Sequence, residues 1–395
     1  MSALSPLQLA LAAGALVGLL ATTLELFALR AVRRRRLPPP PSFPTASVIK
    51  PLCGLDDELE ENLRSHVQLQ YPADWEIVLG VRSEEDPAYP VARALAAAHP
   101  ERVRLVLQEG EPGHNPKVNQ LITLTRAARY DVIALTDSNV RVEPGYLVEV
   151  ASMLAQPGVG LATQIIGGVG ERSVGAALDN ITLAYFGATN LAASSAIMKW
   201  DHVVGKSMAL RRDVLEAAGG WHEVKDHLAE DELLGKILRR RGLRSSLCPT
   251  PVQNVQVGQR VKDFVGRQTR WLTMRFRTVF PGVLLEPLLL PVLLALAVAL
   301  LSPRNGWGWG LFAAAYAWEA VMVQVSARMV RGYGFKAWHL LLLPLREALF
   351  LAAWARGATL QHVDWRGRRL RVLRGTRLAE REALERVRNI NKLRS

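Results

Sequence analysis

Cysteine is almost missing from this chain. Of its 395 residues only Cys53 and Cys248 are cysteines, with no Cys-x-x-Cys and no Cys/His spacing. That excludes a disulfide framework and the usual zinc-site patterns, and it suits a domain in a reducing compartment. His222 and His227 stand at no metal-ligand spacing and read as loop histidines. The glycine-rich run Gly167-Gly168-Val169-Gly170 opens no dinucleotide motif. Acids are in deficit, 36 against 49 Lys and Arg, which leaves a net charge of +13 and a pI of about 10.2. Such a balance serves nucleic acid or an anionic membrane. The basic residues flank apolar runs instead of clustering with stacking aromatics, so we expect a membrane and no nucleic acid.

Residues Leu7 to Leu29 are apolar with one charge, Glu25, and Arg30 and Arg33 to Arg36 follow at once. A helix of about 20 apolar residues spans a bilayer. A cleaved signal carries its positive charge first; here the charge comes last. The expectation is an uncleaved anchor with its N-terminus outside and the following domain in the cytoplasm. Pro38 to Pro41 read as a stiff linker. Apolar runs return at Val283 to Leu301, Trp307 to Ala327 and Trp338 to Leu360, the last broken by Pro344, Arg346 and Glu347. The tail after His362 holds eleven Lys or Arg against four acids, which places it inside. Three full spans would put it outside, so the last segment is expected to be re-entrant or interfacial, with Arg346 and Glu347 paired with each other or with the protein.

Between the apolar ends, strands are expected at Ala46–Leu52, Glu76–Val81, Val103–Leu107 and Asp131–Leu135, and helices at Glu58–Gln68, Tyr89–Ala98 and Lys117–Ala128. Alternation of this kind implies an α/β fold with a mostly parallel sheet. Ligands bind beyond the carboxyl ends of such strands. Asp86-Pro87 follows the second strand and Asp137-Ser138-Asn139 the fourth. Glu230-Asp231-Glu232 reads as an acid-rich helix N-terminus. Arg267-x-x-Arg270-Trp271 lies in a basic amphipathic stretch suited to a membrane surface. Taken singly, each has an ordinary structural reading.

Taken in order, they resemble the ceramide glucosyltransferase family, with its D, D, D, (Q/R)xxRW pattern on a GT-A fold (glycosyltransferase family 21, family 2-like). Lys50-Pro51-Leu52, Asp86-Pro87-Ala88, Asn115-Pro116-Lys117 with Asn119, Asp137-Ser138, Ala229-Glu230-Asp231 and Arg267-x-x-Arg270-Trp271 carry the resemblance, with Arg346-Glu347 and Trp365-Arg366-Gly367-Arg368 after them. The resemblance implies a Rossmann-like GT-A cytoplasmic domain between N-terminal and C-terminal transmembrane helices. It implies an inverting hexosyltransferase that moves glucose from a UDP-sugar to the primary hydroxyl of a lipid, ceramide above all. Asp231 would be the general base. Lys50, Asp86, Lys117, Asp137, Arg267 and Arg270 would bind the nucleotide sugar, Asp137 would also hold Mg2+ or Mn2+, and Trp271 would wall the acceptor. The metal run departs from Asp-x-Asp, since Asn139 stands where a second carboxylate is usual.

A hopanoid-linked N-acetylglucosaminyl transferase has similar blocks, but Asn115-Pro116-Lys117 looks more like the ceramide enzymes. A processive polysaccharide synthase needs more spans. A catalytically silent membrane scaffold would not need all three acids and the Arg/Trp motif. The expected organisation is an anchor with basic flank at 1–36, a linker at 37–45, the GT-A domain at 46–260, an interfacial helix at 261–280, membrane helices at 281–360 and a basic cytoplasmic tail at 361–395. The expected setting is a bacterial inner membrane.

Overall fold

The computed structural model describes residues 5–198, 202–301, 303–304, 306–365 and 368–380. The helices are α1 (Pro6–Arg34), α2 (Leu59–Val67), α3 (Tyr89–Ala98), α4 (Pro116–Ala127), α5 (Tyr146–Leu154), α6 (Val174–Thr182), α7 (Ala188–Ala196), α8 (Arg212–Ala217), α9 (Glu230–Arg240), α10 (Val261–Thr278), α11 (Pro291–Leu301), α12 (Gly306–Arg331), α13 (Ala337–Leu340) and α14 (Leu343–Thr359). The strands are β1 (Ala46–Pro51), β2 (Trp75–Val81), β3 (Val103–Leu107), β4 (Val132–Thr136), β5 (Val140–Arg141), β6 (Val159–Val169), β7 (Ser207–Arg211), β8 (Arg244–Val255), β9 (His362–Trp365), β10 (Arg368–Val372) and β11 (Leu378–Glu380). The chain divides into two compact units.

The α/β unit comprises residues 36–165, 200–255 and 360–395. Its main sheet has the order β3-β2-β1-β4-β7-β6-β8-β5. The first four strands in that order are parallel; β7 runs antiparallel to β4, and β6 to β7. β1 and β2 are buried along their whole length. That is why they read as apolar runs and not as alternating patterns. Leu121 and Leu124 of α4 and Leu234 and Leu238 of α9 share one core with Ile49, Val78, Ile133 and Leu210 of the sheet. Each such side chain contributes about 1.5–3 kcal/mol on burial. This core seats the N-termini of α4 and α9. The four expected strands and three expected helices all form, with ends shifted by a residue or so.

The chain's end is not simply a tail. β9, β10 and β11 form a small antiparallel sheet. The Leu228 N–H donates to the Thr376 carbonyl at 2.9 Å and the Leu378 N–H to the Asp226 carbonyl at 2.7 Å, so this sheet braces the loop ahead of α9. Arg366 and Gly367 of the late motif, and 381–395 of the basic tail, lie outside the described residues.

The helical unit comprises residues 1–35, 166–199 and 256–359. Residues 166–199, expected inside a continuous catalytic domain, thus group with the helices. Among the described residues α1 is the one helix long and apolar enough to cross a membrane; Gly282–Leu289 and α11 pass that test together but are bent by 62°. Val283 to Leu301 is thus interrupted, and the expected Trp338 to Leu360 run is broken as well, into α13 and α14. Pro287 and Pro291 explain the first break, since proline removes a backbone donor and clashes with the preceding turn. α12 covers the expected Trp307 to Ala327 run, but Glu319, Gln324 and its Trp and Tyr residues dilute its apolar character.

α1 packs on α11 and α12 through Ala15, Ala295 and Ala315. A Cβ on Gly18 would lie 2.4 Å from the Leu288 carbonyl oxygen, so that approach requires glycine. The buried charges are paired, as expected. Arg346 meets Glu319 at 2.7 Å and Glu347 at 3.7 Å, and Glu347 also accepts the Leu293 N–H at 2.6 Å. Glu25 accepts the Thr189 hydroxyl at 3.0 Å.

Candidate active site

The acids follow the strands because parallel pairing gathers the strands' carboxyl ends, and the loops after them, along one edge of the sheet. Asp86, after β2, accepts the N–H groups of Gly54 at 2.8 Å and Ala88 at 2.9 Å through Oδ1. It thereby joins its loop to the loop after β1. That second loop carries Asp56, whose Oδ2 accepts the hydroxyl of Ser138, the neighbour of Asp137. Asp86, Asp56 and Asp137 thus share one loop cluster.

Asp137 sits between two lysines. Its Oδ1 meets Lys117 Nζ at 2.9 Å and its Oδ2 meets Lys206 Nζ at 3.7 Å. Burial opposes its ionisation, but Lys117 and Lys206 outweigh that and hold its carboxyl below the usual carboxylate range. Lys117 also meets Glu230 Oε1 at 3.2 Å and donates to the Gly205 carbonyl at 2.8 Å. Asn115 caps α4 by accepting the N–H groups of Lys117 and Val118, and its amide donates to Glu230 Oε2 at 3.2 Å and to the His227 carbonyl at 2.8 Å. The Asn-Pro-Lys run is therefore a clamp on the α9 N-terminus, with Pro116 fixing the first helical turn.

Asp231 accepts the Gly205 N–H at 2.7 Å and the Glu232 N–H at 2.8 Å. A Cβ on Gly205 would stand 2.7 Å from Asp231 Oδ2, so a larger residue there would push the carboxylate out of place. Burial and the adjacent Glu230 push the Asp231 carboxyl up to about 7, against Lys117 and the two N–H donors. A carboxylate poised near neutrality is suited to taking a proton.

Lys50 and Lys117, expected to bind the donor, are engaged by the protein itself. Lys50 is fully buried, and its ammonium donates to Thr136 Oγ1 and the Asp137 carbonyl, both at 2.9 Å, and meets His66 Nε2 at 3.3 Å. Burial pushes it down to about 7 against Asp137 and Asp56. His66 Nδ1 faces the Asn62 carbonyl at 3.0 Å, so Nδ1 carries the proton and Nε2 accepts; burial, then Lys50, holds it well below the usual histidine range. Lys50 fastens the Asp137 loop from beneath. An ammonium has three N–H bonds, and Lys117 directs its own at Asp137, Glu230 and Gly205.

The remaining expected residues lie on α10, in the helical unit. Arg267 is spent on Asp179, fully buried, and on Gln256 Oε1 at 3.2 Å. Arg270 is half-buried and has no carboxylate or hydrogen-bond partner among the described residues. Burial and Arg267 disfavour its charged form. Trp271 is half-buried beside it.

Sequence reasoning missed Lys206, Asp56 and Asp179. Lys206 and Asp56 had one legible signal, since each falls in a short loop at the edge of a buried strand. Among the described residues no three His, Cys, Asp or Glu side chains gather as a metal cage. One carboxylate at Asp137 still fits Mg2+ or Mn2+, because Mg2+ is usually held by one or two carboxylates with substrate phosphates and water.

Parallel strands presenting acids at their carboxyl ends, with antiparallel strands completing the sheet, form the GT-A-like fold of sugar-transferring enzymes. The mannosyltransferase PcManGT from Pyrobaculum calidifontis, solved with GDP-Man and Mn2+, shares this fold over 89% of this chain and 98% of its own, with a TM-score of 0.52 at 19% identity. The model of Glycosyl transferase family 21 matches residues 10–378, and the chain belongs to that family of sugar-transferring enzymes. Ceramide glucosyltransferase 1 of Caenorhabditis elegans is 32% identical over 64% of this chain and 54% of its own length. Ceramide glucosyltransferase of Pyricularia oryzae is 25% identical over 85% of this chain and 87% of its own. The chain thus spans about half the length of the first of these relatives.

Proposed function

We propose that this enzyme moves a sugar, glucose by preference, from a UDP-sugar to the primary hydroxyl of a ceramide-like membrane lipid, with inversion. The observation that supports this reading most is a path of contacts and short stretches of chain in the α/β unit. It passes from Asp86 through Gly54, Asp56 and Ser138 to Asp137, then through Lys117 and Glu230 to Asp231. Three carboxylates from distant parts of the chain then serve one reaction. Asp86 serves the nucleoside and Asp137 the divalent cation that arrives with the diphosphate. When bound, that cation offsets the charge on departing UDP.

Asp231 takes the proton of the lipid hydroxyl as its oxygen bonds to the anomeric carbon. The bond from that carbon to the phosphate oxygen breaks, and its electron pair leaves with UDP. One displacement by one base inverts the anomeric carbon. Arg270 binds the diphosphate in a fork, and Trp271 lines the acceptor. α1 anchors the chain with the α/β unit on the cytoplasmic side. A base must be ionised, so activity should climb as pH rises through about 7 and level off above it.

The test is purified enzyme in detergent with UDP-glucose, UDP-galactose or UDP-N-acetylglucosamine against ceramide, diacylglycerol or a hopanoid. We expect a product with the mass of ceramide plus one hexose, fastest from UDP-glucose. Transfer only of N-acetylglucosamine to the hopanoid, or no lipid product from any pair, would contradict the assignment.

A further inference from the structure

We infer that Lys117 and Glu230 form a positioning pair that ties the Asp137 loop to the α9 N-terminus and thereby governs how tightly Asp231 holds its proton. The inference rests on Asp231 being the base. Lys117 directs its ammonium at Asp137 Oδ1 at 2.9 Å, Glu230 Oε1 at 3.2 Å and the Gly205 carbonyl at 2.8 Å. All its hydrogens are committed inside the protein, so it reaches a phosphate only by breaking one of these contacts. Glu230 is gripped from both sides, by Lys117 on Oε1 and by Asn115 on Oε2 at 3.2 Å. Its negative charge is therefore fixed beside Asp231 and not left to rotate into solvent.

The charges facing Asp231 are few. On its own helix are Glu230 and Glu232, the latter paired with Lys236 at 2.7 Å. From α4 comes Lys117. From the loop ahead of β7 come the Gly205 N–H and Lys206, which turns to Asn139 at 3.2 Å and Asp137. His227, ahead of α9, is turned to the Gly375 carbonyl at 3.0 Å. Glu230 raises the cost of ionising Asp231 and Lys117 lowers it. The pair thus sets the balance, and because Lys117 also holds Asp137, the donor loop and the base belong to one charge set.

The signs are opposite for the two partners, which makes the idea testable by pH profile. Glu230→Gln keeps the side chain's size and removes the negative charge, so the acidic limb of kcat should move to lower pH. Lys117→Met removes the positive charge, so the limb should move to higher pH. A neighbouring charge commonly moves a carboxyl by about one unit or more. Donor KM should change less than roughly threefold in Glu230→Gln, since that residue touches no donor in this account. If Lys117→Met does not fold, Glu230→Gln alone decides the matter. An unmoved limb in Glu230→Gln, or a limb unmoved in both variants with a donor KM raised tenfold in Lys117→Met, would overturn the inference. A wild-type limb that survives in Asp231→Asn would instead refute the base assignment itself.

Discussion

Replacing Asp231 by Asn should lower kcat by roughly 10²- to 10⁴-fold, the range that general-base catalysis supplies, while donor affinity changes little. Asn keeps the shape and one accepting oxygen, enough for either the Gly205 or the Glu232 N–H. What it cannot do is take a proton near neutral pH. The groups assigned to the donor, Asp86 and Asp137, sit on other loops and keep their own partners. The check is kcat beside a donor dissociation constant from calorimetry. A parallel loss of binding and turnover would give Asp231 a different role.

Replacing Arg270 by Ala should cost roughly 10²- to 10³-fold in kcat, as removing one preorganised donor to developing charge does elsewhere. The two arginines of α10 are not equivalent. Arg267 neutralises buried Asp179 and touches Gln256, whereas Arg270 has no protein partner among the described residues. Arg267→Ala breaks the ion pair with buried Asp179, and breaking a buried pair typically costs about 3–5 kcal/mol. It should therefore appear first as a lower Tm. Arg270→Ala should leave Tm close to wild type, and Arg270→Lys, which keeps the charge without the fork, should recover only part of the rate. A large fall in Tm for Arg270→Ala with full specific activity would contradict this division of labour.

The contrast shows what a sequence can and cannot disclose. The first half of the sheet was legible because β1 to β4 are short apolar runs separated by helices, and the acids at their ends follow from that topology. β6, β7 and β8 were not, because their sequences do not read as β: Gly160, Gly167 and Gly168 interrupt β6, Ser-Met-Ala-Leu-Arg of β7 carries no β-branched residue, and Pro249 and Pro251 stand among polar residues in β8. The break in Val283 to Leu301 lay in two prolines that a hydropathy run conceals. The small sheet of β9 to β11 was masked by its basic composition, which reads as tail.

Among the candidate residues, type and order singled out Asp86, Asp137 and Asp231 as candidates, and the structure gives each its contacts in the α/β unit. Partnership did not show, because it joins residues as far apart as Lys117 and Glu230, or Asp179 and Arg267. Lys50 and Lys117, expected at the donor, each make their contacts within the protein: Lys50 beneath the Asp137 loop, and Lys117 between two carboxylates. A lysine saturated by the protein looks the same in sequence as one reserved for substrate.

The anomeric configuration of the first lipid product tests the single-displacement account most directly. With UDP-glucose, whose sugar is α-linked, proton NMR of the product should show a β-linked glucose with a large coupling at its anomeric proton. An α-linked product would mean retention, and Asp231 could not then be the one base of a direct displacement.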